Sequence, residues 1–90
     1  MDKHSLSNSL KLLKQHYFFQ LFGWKPNEKY KPLDAVTLAT CEAVVDKYKG
    51  QIWNKEFWGL SQGDSIAAVA GLIEAELAVI NKLKKDLDIK

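Results

Sequence analysis

Ile66, Val69, Ile73, Leu77, Ile80, Leu83 and Leu87 recur every three or four residues, which lines up apolar side chains along one side of an α-helix through the last third of the chain. A stripe of that length has to be covered by other elements, so it governs what the rest of the chain must do. Ser61 or Asp64 is placed to cap the helix, and the spacing predicts that it runs over about residues 62–87, roughly 39 Å at the α-helical rise. Its polar side carries Glu74, Asn81, Lys85 and Asp88. Lysines gather in the final turns, where they oppose the negative end of the helix dipole.

Two further segments have the same period. Leu6, Leu10, Leu13, Tyr17 and Leu21 predict a first helix over about residues 6–22, with Ser5, Ser7 or Asn8 as N-cap and Gly23 as its stop. Phe18, Phe19 and Phe22 widen its apolar face, so this helix should be covered on two sides. After a connection holding both prolines, Asp34 is placed to cap a second helix over about residues 35–49, and Leu33 and Leu38 occupy the positions of a hydrophobic staple. The core face of this helix reads Ala35, Leu38, Cys41, Val45 and Tyr48. Glu42, Asp46 and Lys49 are expected to point outward, and Gly50 ends the helix.

Periodicity does not arbitrate for residues 51–63, because Trp53 and Phe57 share a side in a helix and in a strand alike. With helices all around and no second strand to pair with, an extra short helix over about residues 52–58 is expected. The chain therefore reads as all-α: one domain over residues 1–90, a small three-helix bundle with a long C-terminal helix.

Hydrophobic residues at 47% and charged residues at 27% are ordinary for a chain that folds, and a single cysteine, Cys41, excludes an intramolecular disulfide. The apolar stretch from Ile66 to Ile80 carries Glu74 and Glu76 and falls short of the ~20 residues a bilayer span needs. Nor does the start of the chain show an apolar run behind a basic segment, so the expectation is a cytoplasmic protein with no membrane partner.

All 13 basic residues are lysines. Lysine is a flexible point charge, whereas base reading favours the planar arginine fork, so sequence-specific DNA binding is not expected. A helix-turn-helix also fails on spacing, since about a dozen residues separate the second and last helices where that motif has three or four. Charge is uneven: six lysines face two acids in residues 1–33, while three lysines face seven acids in residues 34–80. Complementary docking within the fold is the favoured reading of that asymmetry, ahead of steering a charged partner.

His4, near a terminus expected to fray, and the isolated His16 and Cys41 form no metal-ligand pattern, so no metal and no cofactor is expected. Cys41 falls on a core face, where a free cysteine acts as a small hydrophobe. The carboxylates Glu42, Asp46, Glu74 and Glu76 are the only enzyme-like feature. Were Glu42 and Asp46 to converge with Glu74 or Glu76 between helices, they could hold magnesium, but a solvated acidic face is the favoured reading. Phosphate loops, dinucleotide fingerprints and triad signatures are absent.

Two features bear on partners. Ala67, Gly71, Ala75 and Ala78 form a small-residue strip on the last helix, read as a helix-packing seam within the fold in preference to a dimer face; the chain is accordingly a monomer or a homodimer. Trp24, Tyr30, Trp53, Phe57 and Trp58 are interleaved with lysines such as Lys55 in the two connections. Such rings serve as core plugs, as anchors for a protein partner or as stacking platforms for a nucleic acid. The expected function is a small non-enzymatic protein-interaction module, a regulator, inhibitor, adaptor or immunity-type factor, that meets a partner protein through a helical surface with these aromatic anchors. A weak, sequence-tolerant nucleic-acid or anion binder is the second reading, and a magnesium-dependent helical enzyme the third.

Overall fold

The computed structural model describes residues 2–88 and is all-helical, with no strand among them. Helix α1 runs Asp2–Phe22, α2 Ala35–Tyr48, α3 Lys55–Trp58 and α4 Ile66–Asp86; a 3₁₀ turn, Lys49–Gln51, extends α2. Helix α1 is the middle of the bundle, packing against both α2 and α4. Leu6, Leu10 and Leu13, three of its core residues, are the largest fully buried side chains of the protein. At 21 residues each, α1 and α4 are equally long, so the C-terminal helix is not the dominant element that its periodicity suggests.

Side-chain contacts set the directions. Lys14 faces Glu76, and further along both helices Tyr17 and Lys84 meet on the same Glu42 carboxylate, so contacts advance along α1 and α4 in the same sense and the two helices run parallel. Leu33, just before α2, donates its N–H to His16 Nδ1 near the far end of α1, which sends α2 back antiparallel. The result is an up-down-up bundle. Cys41 from α2, Ile52 and Trp58 from the second connection, and Ala70, Ile73, Ile80 and Leu83 from α4 close the core around Leu6, Leu10, Leu13 and Tyr17 of α1.

Helix boundaries follow local chemistry where a cap exists. Asp34 Oδ1 accepts the Thr37 N–H at 2.7 Å, the N-cap bond expected of it, and this bond holds the carboxyl below its usual range. Gly23 ends α1 with φ +70°, donating its N–H to the Phe19 carbonyl.

Elsewhere tertiary contacts shift the expected ends. Helix α1 begins at Asp2, takes in His4 and passes straight through Ser5, Ser7 and Asn8, because Leu6 is buried and Lys3 is tied to the second connection. Helix α4 begins at Ile66, later than expected. The reason is that Asp64 Oδ2 accepts both the N–H and the hydroxyl of Ser61, closing a turn of its own. Ser65 then stands at the N-cap without a side-chain bond.

Two expectations about helix faces are corrected. Glu42 does not point outward: its carboxylate accepts the Tyr17 hydroxyl at 2.6 Å and Lys84 Nζ at 2.9 Å, tying α2 to both other helices. Burial, followed by this bond and the nearby charge, holds the Tyr17 hydroxyl well above its ordinary pKa. Ala67, Gly71, Ala75 and Ala78 build no seam within the fold, for all four are exposed and a Cβ added at Gly71 would meet nothing within 4 Å. The packed side of α4 is the branched stripe of Ile73, Leu77, Ile80 and Leu83, because larger apolar side chains gain more from burial than alanine does.

Candidate functional site

The stripe of α1 that faces away from the core has a different composition from the buried one. Ser7, Lys11, Lys14 and Gln15 lead along the helix to Phe18 and Phe22, at spacings of three, four and seven that keep them on one side. Because Gly23 turns the chain sharply after the last helical residue, Trp24 is brought back beside this stripe. Its ring centroid lies 6.1 Å from that of Phe18, and Phe22 lies at the same distance on the helix. These residues, with Glu76 of α4 on the far edge, line an open, mostly apolar groove of about 840 Å³.

The rings at its aromatic end are poorly covered. Phe22 is 67% and Trp24 48% exposed, while Phe18 is half-buried beneath them. Two large aromatics left this open lie side by side and form an exposed apolar patch. Charge is arranged along the other half: Lys14 faces Glu76 at 3.9 Å, the outer limit for an ion pair, and Lys11 forms no ion pair among the described residues.

The aromatic residues expected to anchor a partner do not come together. Trp24 alone belongs to the groove. Tyr30 leans on Phe19 at 5.7 Å, and its hydroxyl is buried with no hydrogen-bond partner among the described residues. Trp58 is a core residue, 9% exposed, whose indole N–H donates to the Ile52 carbonyl at 2.6 Å. Phe57 is wedged between Tyr48 and Trp58, and Lys55 bonds the Gln62 carbonyl in the same connection. Trp53 is 51% exposed but lies elsewhere, its indole N–H held by Glu74 at 2.6 Å.

Every groove residue except Trp24 lies outside the expected partner contacts, Phe18, Phe22, Lys11 and Lys14 foremost. Their signal was present in the stripe Ser7, Lys11, Lys14, Phe18 and Phe22, but three phenylalanines in the last turns read equally well as a second packed face. Helix α1 is indeed covered on two sides, with Phe22 left outside the cover.

Each of the four suspected carboxylates has a partner of its own. Glu42 holds Tyr17 and Lys84, Asp46 pairs with Lys49, Glu74 accepts from Trp53, and Glu76 faces Lys14. No cluster of three or more potential metal ligands occurs among the described residues, and no helix there is long and apolar enough to cross a membrane. Cys41 is buried in the core. No family model, curated protein or solved structure matches the chain.

Proposed function

We propose that this protein is a small non-enzymatic interaction module that binds a partner protein through the α1 groove. One observation supports the reading above all: Phe22 and Trp24 are left exposed together over Phe18, at the end of a groove large enough for several partner side chains. Exposed aromatics that cluster around a concavity are the usual anchors of protein interfaces, since they bury a large area at little conformational cost. Of the remaining aromatics of the connections, Phe57 and Trp58 pack into the core, Tyr30 leans on Phe19, and Trp53 is held by Glu74 away from the groove, which narrows the binding surface to Trp24 and its neighbours on α1.

Photo-crosslinking in the native cell tests this, with a benzophenone amino acid placed at position 22 or 24 and, as a control, at the exposed position 36 of α2. A discrete protein adduct from positions 22 and 24 but not from 36 is the expected result. Equal labelling from all three positions, or none from the groove, overturns it.

A further inference from the structure

We infer that the groove takes an acidic amphipathic helix: a partner segment that lays apolar side chains over Phe18, Phe22 and Trp24 and sets carboxylates opposite Lys11 and Lys14. This rests on the groove being the docking surface and adds the chemistry of what docks there.

Shape favours an elongated occupant. The lining stripe runs from Ser7 to Phe22, about 22 Å along the helix axis, which matches four turns of a second helix laid alongside. The backbone decides between helix and extended peptide. An extended segment needs free N–H and C=O groups to pair with, and the groove is walled by the sides of α1 and α4, whose main-chain groups bond within their own helices. A helical guest brings its own main-chain bonds and asks only for side-chain contacts.

Charge sets the composition of the guest. The apolar half ends in three aromatic rings, so the guest needs apolar residues recurring at three and four. The other half offers Lys11, with no ion pair among the described residues, and Lys14 with only the 3.9 Å approach of Glu76. Carboxylates arriving there gain the Lys11 ammonium and share that of Lys14 with Glu76, whereas a basic guest would meet repulsion from both lysines. Glu76 on the α4 edge works against a continuous polyanion such as a single-stranded nucleic acid, whose phosphates come at fixed short spacing.

The test is selection of helix-length random peptides, about 16 residues, displayed on phage against the full chain. Peptides with apolar residues at three-and-four spacing and an excess of Asp and Glu are expected. Their affinity should fall about thirtyfold on Phe22→Ser with Trp24→Ser, and about tenfold on Lys11→Glu with Lys14→Glu. All four positions are solvent-facing or half-exposed, and unchanged thermal unfolding confirms that the variants fold.

Reselection on the Lys11→Glu, Lys14→Glu chain should yield lysine-rich peptides. Groove-binding peptides that are neutral or basic on the unchanged protein overturn the acidic class and leave the docking groove standing. Peptides that ignore the Phe22→Ser, Trp24→Ser change overturn both. Vesicles of equal parts phosphatidylcholine and phosphatidylserine form the second arm: sedimentation of the protein with them, lost in Trp24→Ser and unaccompanied by any groove-binding peptide, would assign the patch to a lipid surface and overturn the inference.

Discussion

The connection between α1 and α2 and the connection between α2 and α4 carry the same ingredients, tryptophan, tyrosine or phenylalanine among lysines, and they sit at opposite ends of the bundle. In the second, the backbone is folded into a 3₁₀ turn and a one-turn helix. Asn54 caps that helix through the Glu56 N–H, and Gly59, at φ +68°, closes it. The folding presents the Ile52 carbonyl to the Trp58 indole, so the ring is buried with its one donor satisfied.

The first connection has two prolines and no helix, and it is fastened late, through Tyr30 on Phe19 and the Leu33 N–H on His16. Trp24 precedes all of those attachments, directly after the glycine that ends α1, and so is laid on the outer face rather than inserted. Of the second connection's tryptophans only Trp58 is carried inward by the folded backbone; Trp53 stays 51% exposed, tied to Glu74 instead.

The contrast breaks first at Trp58. Trp58→Ala should cost about 3–5 kcal/mol in urea unfolding, because a large buried ring is removed from the end of the core. A loss below about 1 kcal/mol, the size of a surface substitution, would show that the second connection is not a plug.

Acid is expected to act next, on the fastening of the first connection. Burial lowers the His16 pKa below 6.5, against the opposing pull of Glu42, and the neutral ring accepts the Leu33 N–H through Nδ1. Protonation would turn that nitrogen into a donor facing a donor. The folded state therefore resists a proton that the unfolded chain accepts: this contribution is complete above pH 6.5 and is lost as pH falls toward the lowered folded value. Between about pH 7.5 and pH 5, a loss of about 1 kcal/mol, the worth of the bond, should appear in urea midpoints. It should be flattened in His16→Asn, which offers an acceptor that does not titrate. An equal slope in that variant would move the effect to other groups.

The smallest expected change in stability is at Trp24. Trp24→Ala should alter folding by only about 0.5 kcal/mol while abolishing the crosslink from position 22, because the ring faces solvent in the free protein. A destabilisation as large as that of Trp58→Ala would erase the distinction between the two connections.

Much of the architecture was legible in advance. The stripes Leu6-Leu10-Leu13-Tyr17 and Ile73-Ile80-Leu83 are buried as their spacing predicts, with Leu77 packed partly buried beside them, and Asp34 and Gly23 punctuate the chain where a carboxylate cap and a left-handed stop belong. The site was much less so. Of six residues proposed as partner contacts, only Trp24 lies in the groove, since composition places aromatics in a connection without saying which way the connection folds.

What the sequence determined by itself is therefore local: the helical period, the caps whose donors and acceptors lie within a turn, and the apolar stripes that had to be buried. Tertiary structure decided everything that depends on which faces meet. It put α1 in the middle, drew Glu42 inward between Tyr17 and Lys84, left the Gly71 strip in solvent and separated Trp58 from Trp24. The physical reason is that a period marks a side chain as able to be buried, while burial itself is shared out among competing faces by the area and hydrogen bonds each can satisfy.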